Sequence, residues 1–240
     1  MKIHKVEWTK EKIKNFWETY QTYPEFIKSK FLPQEFYINL LRIVKKFIKN
    51  KGKVLDVGCG TATLLNLLVN MGYEAYGIDV SEKNITELER KFPKIEFKKG
   101  SITDIHFDDE YFDYIFATEV LEHILEQDLT NGLKEIRRVL KPNGKFIITV
   151  PYREELQEII CPDCGAVFVP SQHLRSFDEN SMKALLEKVG FKLLYCKLVP
   201  KLPTAKSFLK KIIMRILYTV SKKAVMFMYG SIFVTVAEKK

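Results

Sequence analysis

Val54-Leu55-Asp56-Val57-Gly58-Cys59-Gly60-Thr61-Ala62-Thr63-Leu64-Leu65 is the stretch whose reading decides the fold. Lys51-Gly52-Lys53 leads into an apolar run that breaks at Gly-x-Gly and then turns helical. That is the sequence form of a buried parallel strand, a tight turn and the first turn of a helix. Gly58 and Gly60 allow positive φ, or a close approach of ligand to backbone, where a Cβ would interfere. A helix beginning near Thr61 aims N–H groups and the positive end of its dipole at the same spot. Asp56 at the strand end sets a fixed carboxylate beside those donors. Such a pocket suits a ligand that carries both a cation and an anion.

Downstream, Glu74-Ala75-Tyr76-Gly77-Ile78-Asp79 reads as a second strand ending in an acid. The separation, about twenty residues, is the one at which dinucleotide-binding folds place a carboxylate on ribose hydroxyls. A nicotinamide fingerprint would want Gly or Ala where Thr63 stands. The combination Asp56-Val57-Gly58-Cys59-Gly60 with Gly77-Ile78-Asp79 resembles the class I S-adenosylmethionine (SAM)-dependent methyltransferases. The resemblance implies an α/β fold, a doubly wound and mostly parallel seven-stranded sheet of Rossmann-like type. It also implies SAM as cofactor and S-adenosylhomocysteine as product. Asp56, Gly58, Cys59 and Gly60 would surround the amino-acid end, with Cys59 in a packing role. Asp79 would take both ribose hydroxyls with Val80 beside it.

The alternation continues as the resemblance requires. Ser81 is placed to cap a helix over 82–91, Ile95 to Phe97 reads as a third strand, and Gly100-Ser101-Ile102 follows. Relatives commonly carry an acid after this glycine for the adenine amino group. Ser101 stands there instead, with the backbone of Ile102 as the other contact. Tyr111 to His123 resembles the fourth strand and its loop, which places Thr118, Glu119 and Val120 near the methionyl part. Asp128 is expected to cap the next helix, and Lys141 to Gly144 to form a turn before a fifth strand, Lys145–Val150. The run Leu140 to Pro151 resembles the methyltransferase type 11 branch, which includes quinone-biosynthesis O-methyltransferases. Asp178 caps a helix that Gly190 stops. Phe191–Leu198 is a sixth strand, and Ser231–Glu238 a seventh that the family topology places antiparallel between the fifth and sixth.

Two regions flank or interrupt this core. Residues 1–50 form an N-terminal helical cap, with Ile13, Phe16, Trp17 and Tyr20, then Phe36, Leu40, Leu41, Val44, Phe47 and Ile48, at helical spacing. In the resembled family such a cap lies over the substrate opening, so Trp17, Tyr20 and Tyr23 would line it; packing on the sheet edge is the alternative. Residues 51–240 then form the SAM-binding domain, with an insert at 152–177. The insert holds Cys161-Pro162-Asp163-Cys164-Gly165 and His173-Leu174-Arg175-Ser176-Phe177. Cys-x-x-Cys is a metal-knuckle spacing, and Cys161, Cys164 and His173 would supply three ligands to a structural zinc. Cys196 or water would be the fourth; free thiols in a Pro/Gly turn are the other reading.

Catalysis of methyl transfer asks little of side chains, because in-line positioning and exclusion of water carry it. A hydroxyl acceptor must in addition lose its proton, which a histidine near neutral pKa can accept. His123, His173 and Glu122 are the catalytic candidates, against capping or structural roles.

The net charge is +9, unevenly spread. Residues 200–240 hold nine basic side chains and one acidic; residues 1–50 hold eleven and five; the middle holds nineteen and twenty-four. An acidic core argues against nucleic acid as partner. The basic ends, with an amphipathic helix expected at 205–223, fit a peripheral membrane surface, docking on the core, or a homodimer partner. No uncharged run reaches the ~20 residues needed to span a bilayer. The N-terminus lacks the apolar centre of a signal peptide, and four cysteines form no disulfide framework, so the expected location is the cytoplasm. The expected function is SAM-dependent methylation of a small molecule, at an oxygen of an apolar or amphipathic compound. The alternatives are a SAM-binding regulator or scaffold without turnover, a protein or RNA methyltransferase, and a nucleotide-dependent oxidoreductase.

Overall fold

The computed structural model describes residues 2–20, 23, 32–200 and 231–240. In chain order these form β1 (His4–Lys5), α1 (Lys10–Tyr20), α2 (Gln34–Val44), β2 (Lys53–Val57), α3 (Thr63–Asn70), β3 (Glu74–Asp79), α4 (Glu82–Lys91), β4 (Glu96–Lys99) and β5 (Phe112–Thr118). A 3-10 turn (Leu121–His123) leads to α5 (Glu126–Val139), β6 (Leu140–Pro151), β7 (Ile159–Ile160), β8 (Ala166–Phe168), α6 (Glu179–Lys188), β9 (Phe191–Pro200) and β10 (Ser231–Lys239).

Seven strands make one sheet in the order β4-β3-β2-β5-β6-β10-β9. The pairs from β4 through to β6 are parallel, and β10 runs antiparallel to both β6 and β9. This is the doubly wound α/β architecture that the resemblance implied, with the antiparallel strand inserted where expected. Strand order reverses between β2 and β5, which opens a crevice at their carboxyl ends. The central strands are near-continuously apolar because both faces are covered. Leu55 and Val57 pack toward α5 and α6, whereas Val54 packs toward α2, α3 and α4.

Helix α2 joins that second layer through Phe36, Tyr37, Leu40, Leu41 and Val44. Fully burying each of its aliphatic side chains stabilises the fold by about 1.5–3 kcal/mol, so this part of the cap is a structural layer of the sheet. The helix ends follow local chemistry. Ser81 Oγ accepts from Asn84 N at 3.2 Å, and Asp178 forms a capping box with Ser181. Asp128 does not cap α5: Leu125 holds the cap position with no side-chain bond, and Asp128 sits in the first turn, paired with Lys10 Nζ at 3.1 Å. Its charge favours the helix dipole from there. Helix α3 starts at Thr63 rather than near Thr61, because Ala62 takes a left-handed φ of 55°. Strand β6 begins at Leu140, five residues earlier than expected. Residues 141–144 bulge out of register between Phe112↔Leu140 and Tyr114↔Lys145.

A second, three-stranded sheet, β1-β8-β7, ties the N-terminus to the insert. His4 and Lys5 run parallel to Ala166 and Val167, and Lys5 Nζ meets Glu158 at 2.9 Å. Among the described residues no helix is long and apolar enough to cross a membrane. The amphipathic stretch expected at 205–223 lies outside them.

Gly77 in β3 is a packing glycine. A Cβ there would stand 2.8 Å from Phe97 and 2.9 Å from Leu65. Gly77→Ala is expected to destabilise the protein by about 1–3 kcal/mol through overpacking, read as a lower urea midpoint with unchanged slope.

Candidate active site

The glycine turn closes at the end of β2. Gly58 (φ 72°) and Gly60 (φ 49°) take the left-handed conformation. Gly58 N and Cys59 N both donate to Ile78 O, at 2.8 and 3.0 Å, which straps the turn to β3. Asp79 at the tip of β3 accepts from Gly60 N at 3.1 Å and Ser81 N at 3.0 Å. Asn84 Nδ2 donates to Gly60 O at 2.8 Å. A Cβ on Gly58 would stand 2.8 Å from Val120, so the loop after β5 closes directly on the turn.

The electrostatics are unusual. Asp56 and Asp79 are 2% and 7% exposed, and Asp56 Oδ1 has no hydrogen-bond partner among the described residues. Burial, and then the Asp79 charge, push the Asp56 carboxyl well above its ordinary range. Burial also raises Asp79, against the pull of its backbone N–H donors. Burial and the two carboxylates raise the Cys59 thiol, which keeps it neutral and fits packing rather than metal ligation. A ligand that brings cationic groups and hydroxyl donors would satisfy this pair of carboxylates, so the residues fit SAM.

Tyr37 completes this corner and was not anticipated. Its hydroxyl lies beside the Thr118 side chain, and burial followed by the Asp56 charge raises its pKa. The available signal was its place at helical spacing with Leu40, Leu41 and Val44, as the polar-tipped member of a buried stripe. Glu119 holds a positive φ of 54° and accepts from Thr149 Oγ1 at 2.9 Å. Strain of this kind costs about 1–3 kcal/mol and clusters at functional strand ends. Ser101 lies in the loop after β4 with its Oγ 3.0 Å from Thr103 Oγ1, while the Ile102 side chain is in the core against α5. Only the backbone of Ile102 can therefore face a ligand.

Beyond Val120 lies a second group. Glu122 is fully buried and His123 is 8% exposed, both on the 3-10 turn. His123 Nδ1 lies 3.2 Å from Gln172 O, and Gln172 Nε2 donates to His123 O at 3.3 Å. The Trp17 ring meets His123 edge-on at 4.8 Å, and Trp17 Nε1 donates to Gln172 Oε1 at 3.1 Å. His173 packs edge-on to His123 at 4.7 Å and hydrogen-bonds Glu154 through Nδ1. The fold thus brings all three catalytic candidates together, from the β5 loop and the insert, under α1. Tyr23 is 55% exposed.

The cysteine knuckle stands apart. Cys161 and Cys164 flank a hairpin turn in which Cys161 N donates to Ala166 O at 2.8 Å and Gly165 N to Cys161 O at 3.0 Å. Backbone N–H groups of Cys164 and Asp163 pull the Cys161 thiol below its ordinary value. Among the described residues His173 is held by Glu154 and gathers with Glu122 and His123 rather than with Cys161 and Cys164. Cys196 is exposed on β9, across from Thr235.

A methyltransferase-domain model matches residues 55–148. The demethylmenaquinone methyltransferase of Staphylococcus carnosus is 32% identical over 177 residues, covering 63% of this chain and 73% of that protein. The chain belongs to the SAM-dependent methyltransferases. A probable SAM-dependent methyltransferase of Mycolicibacterium smegmatis is 25% identical over 140 residues, 58% of this chain, and the chain spans 52% of its length. The Burkholderia thailandensis 1,6-didemethyltoxoflavin-N1-methyltransferase, solved with S-adenosylhomocysteine, shares the fold at a TM-score of 0.67 and 16% identity, over 95% of this chain and 87% of its own.

One consequence for this methyltransferase concerns pH. A carboxyl whose folded pKa is raised is protonated in the native state where the unfolded chain has already lost its proton. It therefore subtracts stability as pH rises from the ordinary carboxylate range through the raised value. Asp56→Asn is expected to remove that loss, so the cofactor-free variant melts higher than wild type at neutral pH and converges with it in acid. Melting curves against pH for the two proteins check this.

Proposed function

We propose that this methyltransferase transfers a methyl group to an oxygen of an apolar or amphipathic small molecule. What carries the reading is the position of His123. It is a buried imidazole at the carboxyl edge of the sheet, walled by the Trp17 ring and held by Gln172 and His173, three residues past a Val120 that closes on the cofactor turn. An aromatic wall admits an apolar body, and the imidazole and carboxylate behind it can stabilise loss of a hydroxyl proton. The demethylmenaquinone methyltransferase relative supports an acceptor of quinone-like character.

When bound, SAM supplies an activated methyl group on a sulfonium. Asp79 with Val80 receives the ribose hydroxyls. Asp56 and the backbone of Gly58, Cys59 and Gly60 hold the amino-acid end, and Thr118, Glu119 and Val120 border it. Ser101 and the Ile102 backbone meet the adenine. Residues 8–20 keep water from the reacting centre, which raises the strength of every charge interaction inside.

The test is transfer of label from methyl-labelled SAM to a panel of phenols and quinols in mild detergent, set against polar amines, RNA and protein. Label in the phenolic or quinol products supports the reading. Label confined to amines, RNA or protein overturns the acceptor class. Tight S-adenosylhomocysteine binding with no product anywhere favours a scaffold without turnover.

A further inference from the structure

We infer that Glu122, His123 and His173 form a divalent-cation site on the acceptor side of the cofactor turn. One ligand atom from each lies within 4.8 Å of the others. An ion bound at about 2.0–2.2 Å by nitrogen and carboxylate oxygen holds its ligands roughly 3–4.4 Å apart. The side chains therefore need to close by well under about 2 Å.

The ring orientations are those of ligating histidines. Such rings are ordinarily held through their second nitrogen by a carbonyl or carboxylate, and both are held that way here. His123 Nδ1 meets Gln172 O at 3.2 Å, and His173 Nδ1 meets Glu154. A carbonyl oxygen can only accept, so His123 Nδ1 carries the hydrogen, and in the neutral ring Nε2 presents its lone pair. That lone pair faces Glu122 Oε1 at 4.0 Å.

Two imidazoles and one carboxylate are a set that suits Zn2+, Mn2+, Fe2+ or Co2+ and leaves coordination positions open. Those positions would take oxygens of the acceptor, and the ion held by His123, rather than His123 as a free base, would then ease loss of the acceptor's hydroxyl proton; this last step alone rests on the acceptor reading above. The insert at 152–177 then acquires a role: it delivers His173, with Glu154 as a positioning residue.

The experiment titrates the metal-stripped full chain with Co2+, with S-adenosylhomocysteine present. One equivalent is expected, with visible bands and no thiolate-to-metal charge transfer. His173→Gln and Glu122→Gln should each weaken binding at least about tenfold, and Glu154→Gln about 10–100-fold, with far-UV dichroism unchanged. The double variant Cys161→Ser/Cys164→Ser should leave the site intact. Absence of saturable Co2+ binding by protein that still binds S-adenosylhomocysteine overturns the inference. So does a site that the cysteine variants abolish and His173→Gln does not. A cation bound as expected, with no phenol or quinol methylated, instead removes the acceptor reading and leaves the ion site standing.

Discussion

Asp79→Ala is expected to abolish the thermal stabilisation that S-adenosylhomocysteine confers on the wild-type protein. At about 100 times its Kd a ligand that binds only the native state adds about 2.7 kcal/mol, and the variant should show none of it. The effect has two origins. The carboxylate proposed for the ribose hydroxyls disappears, and Gly60 N and Ser81 N lose the oxygens they donate to at 3.1 and 3.0 Å. Leaving buried N–H groups unpaired costs about 1–3 kcal/mol, so the cofactor-free variant should also melt lower. Asp79→Asn separates the two effects. It retains an acceptor oxygen for the turn, so apo stability should fall less, while cofactor affinity still drops through loss of charge. Calorimetric titration of both variants is the measurement; a wild-type-like enthalpy and affinity in Asp79→Ala would remove Asp79 from the cofactor site.

His123→Ala is expected to lower the rate of methyl transfer by about 10²–10⁴-fold, the usual range for removing a group that manages a proton in the transition state. Cofactor binding should persist, because the glycine turn and Asp79 are held by Ile78, Ser81 and Asn84. The thermal shift with S-adenosylhomocysteine is thus the internal control. A rate within about twofold of wild type would place acceptor chemistry elsewhere and return the imidazole to a structural role under Trp17.

The glycine turn and the strand-end acids were legible in the sequence because their signals are local. Strand β2 must be apolar on both faces, Gly58 and Gly60 must reach positive φ, and the acids must end β2 and β3; each of these leaves a mark within a few residues. Capping at Asp178 with Gly190 at φ 84° was readable for the same reason. Asp128 misled because an acid in the first turn and an acid at the cap have the same short-range signature, and only the path of the backbone at Leu125 separates them. Tyr37 was hidden within a buried helical stripe, whose periodicity reports burial but not which hydroxyl points at Thr118. His173 looked like a partner for the cysteines because they are near in sequence, and the fold gave it Glu154, His123 and Glu122 instead.

The amino-acid sequence by itself determined the alternation of strands and helices and the residues of the glycine turn, since periodicity, turn chemistry and strand-end acids act over a few residues; the doubly wound sheet and the place of its antiparallel strand followed from the family resemblance those residues carry. The tertiary structure alone decided that Trp17, Gln172 and His173 meet at His123, and that the N-terminal strand pairs with the insert 162 residues further on, His4 with Ala166 and Lys5 with Val167. Such contacts join segments 49 to 162 residues apart. Their geometry follows from how whole layers pack, which no local pattern encodes.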